Sequence, residues 1–454
     1  MDAPALKSAP SRRARLALLG LAIALVVGVS IQYGIKASQR TGHRSAFLRW
    51  RPQILEMSQG VNIQEKHIYP NPPIMGLILL PVFQMTDAVG APPIVGALIW
   101  FYLKVGMTIL IFLWVFRLVE DPQRPFPFWA KILAIGLSLR PIVGDLSHGN
   151  VNLFILFLVV GFLYALHRNR QLLAGLTLGL AISCKITPAL FIPYLIWKRA
   201  PKAVGGCIAG LALFFYPGLV PASIFGWQQQ QEMTDSWVKN MVKPFLVDGV
   251  VTSEHNNQSL PGLAYRLLTY NPSFSDYDQN HQLVPMEYHN LANWSTDSVR
   301  WLLKGVMLLF VLLIAWTCRP TLKNHEERMN HSRAAEYSLV LLGMLLFSER
   351  TWKHHCVLFA LPFAVICYQL AISWRKKPVR GLILGSLVLI QLILATSSTS
   401  LMGKEFGKLA QVYGSYTICF LFMMALLTVI LRANRSATGD QQQITESPPL
   451  RLAG

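Results

Sequence analysis

The chain has 454 residues, of which 53% are hydrophobic and only 14% charged, and its net charge is +19. Soluble domains carry about 25% charged residues, so this composition excludes an ordinary water-soluble enzyme. It does not favour nucleic acid as a partner either. Lys and Arg sit in short loops beside apolar runs, and no soluble segment carries a basic face with interleaved aromatics.

In chain order the predicted elements are those of an all-α polytopic membrane protein. Arg12, Arg13 and Arg15 precede an apolar run that lasts to about Ile35. No small-residue cleavage site follows, so this is an uncleaved first span with a cytoplasmic N-terminus. Apolar runs at 16–33, 74–84, 94–116, 128–139, 151–166, 172–197, 204–219, 301–317, 335–347, 357–373, 382–396 and 416–431 predict roughly eleven to thirteen spans. In the second half the basic loops fall on one side, which is cytoplasmic by the positive-inside rule. In the first half, Arg168–Arg170 and Lys198-Arg199 would share that side. The run 172–197 is then either a hairpin of two half-length helices turning at Lys185, Thr187 and Pro188, or one long span. The run 74–84 is also short for a full crossing.

Two long outward loops, 36–73 and 221–300, would lie on the external face, because loops of this length are uncommon unless functional. Residues 1–435 form the membrane domain, and 436–454 read as a polar, disordered cytoplasmic tail. The six cysteines form no CxxC pair and read as small buried hydrophobes.

Charged groups inside apolar runs are costly and usually face a polar cavity. Asp145, His148, Asn150 and Asn152 open the run 153–166, and Lys185 interrupts the next. The first four read as a polar pocket, with helix capping by Asn150 as the plainer alternative. Lys185 reads as a partner for an anionic group, or as a snorkelling side chain. Tyr69-Pro70-Asn71-Pro72-Pro73 stiffens a helix start. Asn257 and Gln258 belong to a motif late in the large loop. Arg350, Trp352, Lys353, His354 and His355 cluster at a membrane edge, where cations and a Trp suit a phosphate and a sugar ring. The His pair has no third ligand nearby, so no metal site is expected.

The order of Tyr69 to Pro73, Gly149 to Asn152, Lys185 to Leu190, Asn257 to Leu260 and Ser348 to His355 resembles the glycosyltransferase 87 family of GT-C membrane transferases. The resemblance implies transfer of a hexose, often mannose, from a polyprenyl-phosphate donor. The acceptor would be a glycan or lipid on the extracytoplasmic face of the plasma (inner) membrane. No cofactor is implied. On that reading Lys185, Arg350, Lys353 and His354 would bind the donor phosphate, and Asp145, His148 and Asn150 would line the sugar pocket, with Asn152, His355, Tyr69, Asn257 and Gln258 also binding substrate. Such enzymes usually carry a catalytic Asp early in the first outward loop. Here that stretch reads Arg44-Ser45-Ala46-Phe47-Leu48-Arg49-Trp50-Arg51. Glu65, Glu56 and Asp145 are the candidates left for the base, with Glu65 first. Arg44, Arg49 and Arg51 would hold a phosphate or an acidic acceptor, or anchor on anionic lipid. Two other readings stay open: a flippase for lipid-linked intermediates, and a non-catalytic subunit of an envelope-assembly complex.

Overall fold

Prolines set where many of the helices begin. In this computed structural model, which describes residues 11–38, 45–278, 283–318 and 331–446, Pro occupies one of the first two positions of six of the α-helices named below. Its missing N–H costs nothing there, because the first N–H groups of a helix have no internal partner.

The helices are α1 (Arg12–Ser38), α2 (Ala46–Ser58), α3 (Ile63–Lys66), α4 (Pro73–Ala88), α5 (Pro93–Val119), α6 (Phe128–His148), α7 (Asn152–His167), α8 (Gln171–Cys184), α9 (Phe191–Trp197) and α10 (Pro201–Phe214). They continue with α11 (Leu219–Phe225), α12 (Trp227–Trp237), α13 (Lys243–Leu246) and α14 (Leu260–Leu268). A β-hairpin, β1 (Pro272–Tyr277) and β2 (Leu283–Tyr288), follows. The chain ends in α15 (Thr296–Thr317), α16 (His331–Leu346), α17 (Ala360–Ile372), α18 (Lys377–Thr396), α19 (Thr399–Met402), α20 (Lys404–Val412) and α21 (Ser415–Glu446). The hairpin is antiparallel and its register shifts near Phe274.

Helices α7, α16 and α17 form the centre, with nearly every side chain buried. α1, α15 and α18 turn most of their apolar residues outward, including Leu19, Ile23, Leu308 and Leu392. Apolar surface of this extent is what a lipid-bathed helix presents. Among the described residues, seven helical segments are long and apolar enough to cross a membrane, and four shorter apolar helices accompany them. Together they make eleven apolar helices, against the roughly eleven to thirteen spans read from the sequence. α4 and α7 have 16 residues each, about 24 Å of helix, short of a typical 30 Å hydrocarbon core.

The run 172–197 adopts the hairpin alternative. α8 stops at Cys184, Lys185 is extended (φ −160°, ψ 127°), and a short 3₁₀ turn at Thr187–Leu190 leads into α9. Glycines prove the return. Gly175 lies against Ala203 and Gly206, and Gly179 lies against Gly210. Residue numbers rise together on both helices, so α8 and α10 are parallel, and α9 must carry the chain back between them. A Cβ on Gly175 would stand 2.1 Å from the Ala203 carbonyl oxygen, so this close approach requires glycine.

The two outward loops are folded. Residues 36–73 hold α2, whose Phe47, Trp50, Ile54 and Met57 are buried. Residues 221–300 hold α12, α14 and the β-hairpin. Asn62 of the first loop donates to Ser236 Oγ of the second at 3.0 Å, and Asn240 donates to the Gln64 carbonyl at 3.0 Å. The loops therefore pack on each other as one cap. All six cysteines are buried and none forms a disulfide among the described residues. α21 runs through 436–446, and 447–454 fall outside the described residues, as does Arg44.

Candidate functional site: a buried charged relay beneath two folded loops

α6 ends because Gly149 takes the left-handed conformation (φ 64°). Its missing Cβ would lie 2.7 Å from both Ser45 Oγ and Tyr33 Oη. Those two hydroxyls are hydrogen-bonded at 2.8 Å, so the elbow between α6 and α7 nests against the end of α1 and the start of α2. Gly149→Ala is expected to cost about 1–3 kcal/mol, from the strained backbone and the displaced hydroxyl pair. Thermal melts of the purified protein would measure it, and a variant as stable as the parent would contradict this packing.

The elbow places four polar residues in one chain of contacts. Asp145 accepts from Asn152 Nδ2 at 2.9 Å and from the Leu153 backbone N–H at 3.3 Å. It thus caps α7, the role that the sequence offered to Asn150. Asn152 then accepts from Lys185 Nζ at 2.8 Å. On its other side Asp145 is paired with Lys104 of α5, whose Nζ lies 3.2 Å from Oδ2 and 2.8 Å from the Asp145 carbonyl. Asp145 and Lys104 are both 0% exposed. Asn150 turns the other way. Its Oδ1 accepts from Val151 N at 2.8 Å and its Nδ2 meets His354 Nε2 at 3.0 Å.

Cations and imidazoles gather around this relay. The rings of His148 and His354 stand edge to face at 5.2 Å, and His354 packs in the same way on His355 at 4.8 Å. Asp145, His148, Lys185 and Lys104 all act electrostatically on His354. Lys185, His354 and Arg350 act on His355. Lys36 and Arg49 reach His148 from α1 and α2. The Arg350 guanidinium lies over the Trp352 ring at 5.8 Å, and Trp352 stacks on His355 at 6.2 Å. Lys185, Arg350 and His354, far apart in sequence, thus share one neighbourhood. A cavity of about 20 Å³, room for about one water, is lined by Asn152, Lys185 and Thr187 on its polar side and by Leu156 and Met344 opposite.

Other predicted residues lie elsewhere. Lys353 Nζ donates to the Ser397 carbonyl at 2.6 Å, next to the end of α18, where Arg140 also donates to Leu394. Lys353 therefore braces a helix end, where carbonyls lack internal partners. Asn257 spends its amide on the carbonyls of Thr252 and Glu349 and on the N–H groups of Ser259 and Thr351. Gln258 ties the loop to Gln411, Tyr416 and Thr417. Both are fully buried braces of the large loop. Tyr69 is buried edge-on to Trp50, with Asn71 beside its hydroxyl.

Of the proposed bases, Asp145 has its carboxylate filled by Lys104, Asn152 and Leu153. Glu56 accepts from Lys66 at 2.9 Å and His67 at 2.7 Å, and these hydrogen bonds hold its carboxyl below the usual range. Glu65 is exposed on α3, with no described contact to the relay. Arg51 is paired with Asp87, whereas Arg49, like Lys36, acts electrostatically on His148. Two residues escaped the sequence reading. Lys104 was hidden inside a long apolar run. Glu349 stood in a motif read only for its cations. Its carboxylate is half-buried, 4.0 Å from Arg350 Nη2, and burial raises it above the usual range. Among the described residues no group of three or more His, Cys, Asp or Glu is arranged to hold a metal ion.

The family model of glycosyltransferase family 87 matches residues 69–349, more than half of the chain. Two curated relatives carry the name polyprenol-phosphate-mannose-dependent alpha-(1-2)-phosphatidylinositol mannoside mannosyltransferase. The one from Mycolicibacterium smegmatis is 25% identical over 336 residues, 71% of this chain and 65% of the relative. The one from Mycobacterium tuberculosis is 26% identical over 267 residues, 58% of this chain and 52% of the relative. The chain thus spans between about half and two thirds of the length of these relatives. No solved structure matches it. With the family match covering the elbow, Lys185 and the segment up to Glu349, the chain belongs to glycosyltransferase family 87.

Proposed function

We propose that this protein is an integral membrane mannosyltransferase that takes mannose from a polyprenyl-phosphate donor and passes it to a lipid or glycan acceptor. The site would face the extracytoplasmic side of the plasma membrane. The relatives' names supply the sugar and the donor class. The observation that carries the reading is Lys185 Nζ, held by Asn152 Oδ1 at 2.8 Å, which Asp145 in turn holds. A fixed ammonium beside His354 and His355, with Arg350 within electrostatic reach, is suited to a phosphate whose charge grows as it leaves.

In the proposed step the acceptor oxygen bonds to the anomeric carbon as the bond from that carbon to the phosphate oxygen breaks. The leaving polyprenyl phosphate gains a negative charge, which Lys185 and Arg350 neutralise. The acceptor proton goes to a carboxylate, and we assign Glu349, because burial favours its taking a proton and Arg350 places it beside the cations. His148 and Asn150 line the sugar side. Asp145 and Lys104 position Asn152, and so Lys185, without touching substrate. The neutralising charge comes from side chains, so the reading requires no cofactor.

Purified protein, a labelled mannosyl-phosphate polyprenol and a phosphatidylinositol mannoside test this directly. Transfer is expected, and Lys185→Met should lower kcat/KM by about 10²–10³-fold with an unchanged melting temperature. Equal turnover by the variant would remove Lys185 from the mechanism. Lipid movement across a vesicle without any sugar transfer would show a flippase instead.

A further inference from the structure

A second cleft lies at the opposite end of α7 from Lys185. It has a volume of about 460 Å³ and runs between α5, α7 and α8, a size typical of small-molecule sites. One wall is Trp114 of α5, stacked on Phe157 at 5.2 Å and on Tyr164 at 5.7 Å, nearly parallel to the latter. Gly161 permits this packing, since a Cβ there would lie 3.3 Å from the Trp114 ring. Arg168 and Arg170 line the cleft where α7 gives way to α8. Both are exposed, and among the described residues neither makes an ion pair with an acidic group. α7 has 16 residues, so this end stands about 24 Å along the helix from Asn152. It lies on the same side as Lys198 and Arg199, which close the α8–α9 hairpin.

We infer that this cleft binds an anionic glycerophospholipid from the leaflet opposite the transferase site. Its acyl chain lies along Trp114 and Phe157, and its phosphate sits between Arg168 and Arg170. The argument is charge complementarity at the right depth. An apolar, aromatic-walled furrow ends in two exposed guanidiniums where a headgroup phosphate sits, and basic pockets between spanning helices are the usual receptors for such headgroups. Arginine suits this phosphate because its fork can donate two parallel hydrogen bonds. The lipid wedges α5, α7 and α8 together, and α7 carries Asn152 at its far end.

Full-length protein in detergent, titrated with phosphatidylglycerol or phosphatidylcholine and read by native mass spectrometry, tests the proposal. Wild-type protein should retain phosphatidylglycerol about tenfold or more over phosphatidylcholine. Arg168→Gln/Arg170→Gln should abolish that preference, and Thr177→Leu, which fills the furrow, should weaken both lipids. Equal retention of the two lipids by the wild type overturns the proposal even if neither variant folds. So does a double variant that keeps the preference, or displacement of the lipid by millimolar inorganic phosphate, which would mark a simple phosphate site.

Discussion

Asp145→Ala is expected to destabilise the protein by about 3–5 kcal/mol, the largest stability effect predicted for any single substitution here. The reason is the partner left behind. Lys104 is fully buried, and among the described residues its ammonium is hydrogen-bonded only to Asp145, through one carboxylate oxygen and the backbone carbonyl. Removing the carboxylate strands a charge among apolar helices and also leaves Asn152 Nδ2 and the Leu153 N–H without acceptors. Chemical denaturation in mixed micelles would measure the loss. Lys104→Met/Asp145→Leu separates fold from function. Replacing both members of a buried pair with apolar residues is often close to neutral, so this double variant should recover most of the stability. It should not recover transfer, because Asn152 would no longer be fixed and Lys185 would lose its anchor. A single variant as stable as the parent would show that the relay does not hold the elbow. A double variant with full transfer would show that Lys185 is positioned by something else.

The same residues show how much of the site the sequence reveals. Asp145, Asn152 and Lys185 stand out because polar groups in apolar runs have no plain reason to be there. The break at Lys185 and Pro188 was also legible, and the basic residues flanking both ends left the hairpin as one of two alternatives. Lys104 was not legible. Its partner lies 41 residues away, and Arg117 is the only other charged residue of α5. Asn257 and Gln258 were misread for a related reason. A polar motif in an outward loop looks ligand-facing, yet its amides satisfy backbone groups of segments almost a hundred or more residues distant. Apolar periodicity located the helices well. A run of 16 apolar residues reads alike whether it spans a bilayer or lies buried among other helices, so periodicity alone does not separate the seven long segments from the four shorter ones. It also missed that the outward loops fold, because α2 gains its stability from tertiary burial of Phe47, Trp50 and Ile54 rather than from its own propensity.

Glu349→Gln should lower kcat/KM by about 10²–10⁴-fold, the largest catalytic effect expected of any residue here. The amide keeps the size and the contact with Arg350 but cannot take the acceptor proton. A base acts when deprotonated, and burial raises the Glu349 carboxyl above the ordinary carboxylate range. In the parent, kcat/KM should therefore climb as pH rises through that raised value, and the climb should vanish in the variant. Stability moves in the opposite sense. A carboxyl that binds its proton more tightly in the folded state than in the unfolded state weakens the fold as pH rises above its unfolded value. Glu349→Gln removes that penalty and should melt no lower than the parent at pH 8. Lost activity with undiminished stability is the combination that a merely structural glutamate would not give. Glu65→Gln, on the exposed face of α3, should leave both the rate and the pH profile within about twofold of the parent. If the pH limb survives in Glu349→Gln and disappears in Glu65→Gln, the proton passes through the first outward loop, and Glu349 only positions Arg350.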